Sequence, residues 1–153
     1  MIEKVFLIST WSIIFISIWF IPKEKRAQAS VIFLITQLFT WILGLLVVEF
    51  GWLEYPVREL AKANATSFSF EYFTFPIITV FLVLHYPDHK PIKMKLFYIF
   101  AFSSGLTVFE YFVEKYTRII DYHSWKLYWT WISVTILFYV VMRIYRWFFK
   151  IEK

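Results

Sequence analysis

Five long apolar runs, separated by short polar or charged segments, constrain this chain more than any other feature of its sequence. They fall at about 5–21, 31–50, 68–86, 95–116 and 125–149. Wound as a helix, an apolar stretch of about 17–25 residues matches the hydrocarbon thickness of a bilayer, whereas a barrel strand needs only about 9–11. In lipid, a helix satisfies its own backbone polar groups. The expected fold class is therefore an all-α integral membrane protein, with five transmembrane helices in a single domain, 1–153. Composition agrees. The chain is 60% apolar and carries 19 Phe, 10 Tyr and 8 Trp in 153 residues, against roughly 45–50% apolar residues in soluble domains. A soluble core this small could not hide so many rings, and lipid-facing helices do not need to.

The first run, Val5 to Ile21, ends at Pro22 and the cluster Lys23-Glu24-Lys25-Arg26. A secretory signal carries its positive end before the apolar core. Here the bases follow it, so the expectation is a retained helix, despite the A-x-A-like Ala27-Gln28-Ala29. The second run is interrupted by Thr36, Gln37, Thr40 and Gly44, with Glu49 near its end and Trp52 and Tyr55 where an interfacial aromatic belt belongs. Tyr55 to Asn64 is too polar to span. With Pro56 at a first helical position and Val57, Leu60 and Ala61 on one face, it reads as a short interfacial helix between the second and third spans. In the third run Pro76 removes a backbone donor, so the Tyr72 carbonyl must find another partner. Gly105 in the fourth run would allow a close helix approach, and Thr117 to Ser124 reads as a polar loop.

Charge placement orients this arrangement. One side collects ten bases: Lys23, Lys25, Arg26, Lys90, Lys93, Lys95, Arg143, Arg146, Lys150 and Lys153. The other holds six, Lys4, Arg58, Lys62, Lys115, Arg118 and Lys126, together with eight of the eleven acids. Counting bases puts the N-terminus outside and the C-terminus inside. The net charge of +5 is then explained by orientation and by contact with anionic membrane lipids, and nucleic acid is not needed as a partner.

Candidate chemistry centres on the fourth run. Ser103, Thr107, Glu110 and Glu114 recur at offsets of four, seven and eleven, so they share one helical face. A carboxyl group inside a span is costly and faces other helices or a water-filled cavity. The spans place Glu49 and Glu71 at a similar outer depth to Glu110, with Arg58 in the segment above them. Two readings of these acids stand. One is a polar outer-leaflet pocket for a ligand, proton or cation, with Glu110, Ser103, Thr107, Glu114, Glu71, Glu49 and Arg58 as its candidate residues. The other pairs the acids with Arg58, Lys115, Arg118 or Lys126 as helix-to-helix glue.

Other chemistries find little support. Zero cysteines remove disulfides, thiolate nucleophiles and Cys-based metal sites. His85 and His89 are separated by Pro87, which breaks the helix that would align them, so no metal site is expected, and no cofactor either. His123 beside Asp121 reads as a loop histidine. Walker, dinucleotide, nucleophile-elbow and zinc-protease signatures are absent, as are lipidation motifs. An enzyme acting on lipid headgroups would need Glu71, Glu110 and His123 to converge.

Four segments carry a resemblance: Leu53-Glu54-Tyr55-Pro56-Val57-Arg58, Phe70-Glu71-Tyr72-Phe73 through Pro76, Glu114-Lys115-Tyr116-Thr117, and Tyr128-Trp129-Thr130-Trp131. With them, the run from Trp52 to Phe149 resembles a family of small multi-pass membrane proteins of endospore-forming Firmicutes. The resemblance implies a bacterial cytoplasmic membrane or spore membrane and supplies no activity. In size and tryptophan content the chain is also similar to the five-helix tryptophan-rich sensory proteins, which bind porphyrins and sterols. Their early Trp–Pro-rich motif is absent, so that similarity is one of class. The expectation is a non-enzymatic membrane protein, structural or ligand-binding, with a proton or cation pathway, or a transport accessory role, as the alternative. A homo-oligomer or a membrane-protein partner stays open.

Overall fold

A computed structural model describes residues 2–151. The chain is mostly helical: α1 (Ile2–Ile18), α2 (Arg26–Glu49), α3 (Phe75–Leu84), α4 (Ile92–Tyr116) and α5 (Leu127–Phe148). The helices run back and forth between two ends of a bundle. Three of the helical segments, Lys23–Glu49, Ile92–Tyr116 and Leu127–Phe148, are long and apolar enough to cross a membrane, and Phe70–Leu84 is a shorter apolar one. Ile8, Ile13, Phe15, Leu34, Phe97, Val108, Ile136 and many other large apolar side chains lie exposed on the outside. In water such a surface would drive aggregation; it suits a protein whose solvent is lipid.

The interior splits into two apolar clusters. In the larger, Ile32 of α2, Val80 and Leu82 of α3, and Phe138 and Val141 of α5 meet with almost no exposure. Polar bonds close the end of the bundle beneath it. Lys25 Nζ donates to the Leu84 carbonyl at 3.2 Å, where a cation suits the C-terminus of α3. Arg146 pairs with Asp88 and lies over the Tyr86 ring, 5.0 Å from its centroid. Helix α3 stops at Leu84, ahead of Pro87, and His85 Nδ1 is 3.0 Å from the Phe81 carbonyl.

At the opposite end, two segments expected to be separate are paired. Leu53–Glu54 (β1) and Asp121–Tyr122 (β2) form an antiparallel ribbon, Leu53 opposite Tyr122 and Glu54 opposite Asp121. The ribbon continues irregularly, with Val57 N–H donating to the Arg118 carbonyl and His123, Ser124 and Trp125 N–H all donating to the Trp52 carbonyl. The loop 117–124 is therefore built into the fold, with Ile119 and Ile120 buried beneath it. The interfacial helix expected over Tyr55 to Asn64 is not formed. Residues 56–63 make turns instead, and Leu60 sits at φ +53°. The reason lies in Arg58, whose Nε donates to the Asn64 carbonyl at 2.9 Å and whose Nη1 donates to the Tyr55 carbonyl at 2.7 Å. Those bonds fold the segment back on itself, and ribbon pairing holds its start extended.

The start of the third apolar run carries the most informative irregularity. Phe70–Thr74 is a π turn, in which Phe75 N–H reaches the Phe70 carbonyl five residues back. Pro76 has no N–H, so neither the Glu71 nor the Tyr72 carbonyl can receive a bond from it. Helix α2 supplies both missing donors. Gln37 Nε2 donates to the Tyr72 carbonyl at 3.3 Å, and Thr40 Oγ1 donates to the Glu71 carbonyl at 2.7 Å. Gln37 and Thr40 of the second run thus serve the proline in the third.

Candidate functional site

The site lies at the ribbon end, where the π turn, α2, α4 and α5 surround a cavity of about 300 Å³. Glu71 comes from the π turn and is only 3% exposed. Its carboxyl group rests on Gly44 of α2; a Cβ built there would lie 2.0 Å from Glu71 Oε1. The absent side chain of Gly44 is the room the carboxyl occupies. Tyr55, buried just after β1, donates its hydroxyl to Glu71 Oε1 at 3.4 Å. Glu71 Oε2 is buried with no hydrogen-bond partner. The Thr66 hydroxyl lies beside the same carboxyl group and 3.1 Å from Asn64 Oδ1, so its one proton is shared between two acceptors.

Glu110 reaches the same cavity from α4. Its Oε1 accepts from Tyr122 of β2 and, at 2.8 Å, from Thr130 Oγ1 of α5. Thr130 in turn accepts from Trp125 Nε1 at 2.8 Å. Trp125 stacks on Trp52 with centroids 5.9 Å apart. A second, smaller void of about 30 Å³ lies on the other flank of Glu110, lined by Tyr55, Phe70 and Leu106 among others. Tyr55 borders both voids. Among the described residues the ion pairs are His123 with Glu54 and Arg146 with Asp88. Neither involves Glu71 or Glu110, so the expected glue to Arg58, Lys115, Arg118 or Lys126 is not formed.

The remaining candidates scatter. Glu49 is exposed, because it follows Gly44 by five positions, about 140° around the helix from the buried Thr36–Thr40–Gly44 face. Ser103 is fully buried but accepts from Thr135 Oγ1 at 2.8 Å, joining α4 to α5. Thr107 bonds back to the Ser103 carbonyl at 2.8 Å. Glu114 is half-buried one turn beyond Glu110. Arg58 braces its loop, as described. Gly105 faces open space rather than a helix. His123 lies 3.6 Å from Glu54, so Glu71, Glu110 and His123 do not converge. No three His, Asp or Glu side chains group as metal ligands among the described residues.

Sequence reasoning missed the hydroxyls, Tyr55, Tyr122, Thr130 and Thr40, and also Gly44 as the seat for Glu71. A tyrosine in an interfacial loop reads as a belt residue; only the ribbon pairing turns Tyr55 and Tyr122 inward. Glu59 Oε1 accepts from Ser69 and, at 3.3 Å, from Trp11 Nε1. That contact ties α1 and the loop to the start of the π turn.

Burial, with the neighbouring carboxyl groups adding to it, pushes both loop tyrosines above the ordinary tyrosine range. For Tyr55 the carboxyl groups are Glu71 and Glu110; for Tyr122, chiefly Glu110. An unfolded tyrosine ionises near pH 10. Above that pH the native state holds protons the unfolded state has lost. The stability these groups contribute is complete below about pH 10 and falls as pH rises further. Alkaline titration of tyrosinate absorbance should therefore leave a fraction of the ten tyrosines that ionises only as helical circular dichroism collapses. Tyr122→Phe should reduce that fraction by one. Ionisation of every tyrosine in an intact fold would contradict the buried setting.

No family model, curated protein or solved structure matches this chain. The site has to be read from its own chemistry. Two carboxyl groups from different helices share one cavity, each held by hydroxyl donors and neither neutralised by a basic side chain.

Proposed function

We propose that this is a non-enzymatic, ligand-binding membrane protein whose pocket lies in the outer leaflet between Glu71 and Glu110. One observation carries the reading: two uncompensated carboxyl groups on the wall of a 300 Å³ cavity, where structural glue would have brought cations to them. In size this void falls at the lower end of small-molecule pockets, about 300–1,000 Å³. Within the proposal all five helices span, α1 and the 68–84 helix near the lower length limit. The basic end is cytoplasmic, placing the N-terminus outside and the C-terminus inside a bacterial membrane. A conducting pathway draws less support. Ser103 and Thr107 spend their hydroxyls within and between helices. Between the cavity and the opposite end, Val80, Leu82, Phe138 and Val141 pack together, and the buried Thr36 and Thr79 return their hydroxyls to their own helices.

Covalent labelling tests the pocket. Dicyclohexylcarbodiimide, which partitions into lipid, should modify Glu71 or Glu110 of the protein in liposomes, as mapped by peptide mass. The exposed Glu49 should react instead with a water-soluble carbodiimide. Absence of adducts at both Glu71 and Glu110 would show that nothing entering from the lipid reaches the cavity, and the reading would fail.

A further inference from the structure

We infer that the pocket's ligand is an amphipathic ammonium compound: a cationic head with N–H donors carried on an apolar body, entering from the lipid side along α2. The inference rests on the pocket reading above and adds the chemistry of the occupant.

Glu71 Oε2 is an acceptor buried without a donor, in a side chain that belongs to the cavity wall; with almost no accessible surface of its own, it meets a ligand as the carboxyl group turns toward the cavity. A buried acceptor left unmade costs about 1–3 kcal/mol, more when charged. The surrounding hydroxyl protons are already committed, Tyr55 to Glu71 Oε1, and Tyr122 and Thr130 to Glu110 Oε1. Among the described residues, no Lys, Arg or His lines the cavity. The missing partner is therefore a donor, and beside two carboxyl groups a cationic donor is favoured over a neutral one. An anionic head would oppose ionisation of either carboxyl group, whereas an ammonium head favours it and brings the donor that Oε2 lacks.

Away from the acids the wall is apolar, with Val47, Phe75, Val134 and Leu137 among its residues. A bare inorganic cation asks for a shell of several oxygens and would leave the apolar part of the wall uncovered. An alkyl or ring system fits it. The rim includes Leu43, Leu46, Phe50 and Trp52, all exposed on the outside of the bundle. The entrance thus faces the lipid, and an amphiphile already in the membrane reaches it without crossing water. The stacked pair of Trp52 and Trp125 provides an aromatic surface at the mouth, where cations are held by ring faces.

The experiment uses full-length protein in nanodiscs of phosphatidylcholine, with decylamine as the probe. Decanol controls for partitioning and decyltrimethylammonium supplies charge without N–H donors. At a hundredfold excess over Kd, decylamine should raise Tm by about 5–10 °C, decyltrimethylammonium by clearly less, and decanol not at all. Glu71→Gln should abolish the rise, and Glu49→Gln should keep it. Independently of any variant, decylamine should protect Glu71 and Glu110 from dicyclohexylcarbodiimide. Competition by phosphatidylethanolamine in the disc would assign the head to a lipid; no competition would assign it to a free amine. Equal shifts from decylamine and decanol, or no protection by decylamine, overturn the ammonium assignment. In that case carbodiimide adducts formed without the amine would leave the pocket reading standing, and their absence would remove both.

Discussion

Gly44→Ala should destabilise the protein by about 1–2 kcal/mol, even though alanine is the better helix former by about 1 kcal/mol. The new methyl carbon would sit 2.0 Å from Glu71 Oε1 and 2.1 Å from both Cδ and Oε2, so the whole carboxyl group must leave. The backbone cannot move with it. Glu71 N–H is bonded to the Ser67 carbonyl at 3.1 Å and the Glu71 carbonyl is bonded by Thr40 at 2.7 Å. The carboxyl has room only toward the cavity, where it would lose its bond from Tyr55 and take up ligand volume. Overpacking therefore outweighs propensity. The sign should reverse in a Glu71→Ala background. With the carboxyl gone, the methyl group meets open space and only the propensity gain remains. Unfolding in mixed detergent, followed by circular dichroism for the four members of this cycle, would measure the coupling. An equal cost in both backgrounds would mean that Gly44 is glycine for some other reason.

This pair also marks how far the sequence could be read. The apolar runs are written in residue type and length, so the helical segments were legible, as was the missing donor at Pro76. Glu71 and Glu110 could be set at a similar depth because helical rise is constant, and the two line one cavity. Which of the candidate acids face inward depends on rotation. Glu71 points at α2 because a π turn precedes Pro76, and Glu49 points outward because it falls off the Thr36–Thr40–Gly44 face. Neither rotation is fixed by depth alone. The ribbon was illegible for a different reason: two residues per strand leave no alternation to detect. The expected helix over Tyr55 to Asn64 obeyed local propensity. It lost to tertiary bonds, those of Arg58 and the pairing with 121–122, which no local window contains.

Among substitutions around Glu110, Thr130→Val should be the most costly, at about 2–3 kcal/mol, because it leaves two groups short of partners at once. Valine nearly reproduces the shape of threonine, so the difference reports the hydroxyl. That hydroxyl donates to Glu110 Oε1 at 2.8 Å and accepts from Trp125 Nε1 at 2.8 Å. Glu110 would keep only Tyr122, and the indole N–H would keep no hydrogen bond to a described residue. Tyr122→Phe removes one donor from Glu110 but leaves Thr130 in place, and should cost nearer 1 kcal/mol. Thr130→Ser retains the hydroxyl and should remain close to wild type. The order Thr130→Val, then Tyr122→Phe, then Thr130→Ser is what unfolding measurements should return; a Tyr122→Phe cost equal to that of Thr130→Val would show that the indole contact contributes nothing. The consequence reaches the cavity mouth. Thr130 is the anchor that holds the Trp125 indole, and Trp125 lies against Trp52. Loss of the anchor should therefore shift tryptophan emission to the red and weaken decylamine binding, although the Glu71 carboxyl has not been touched.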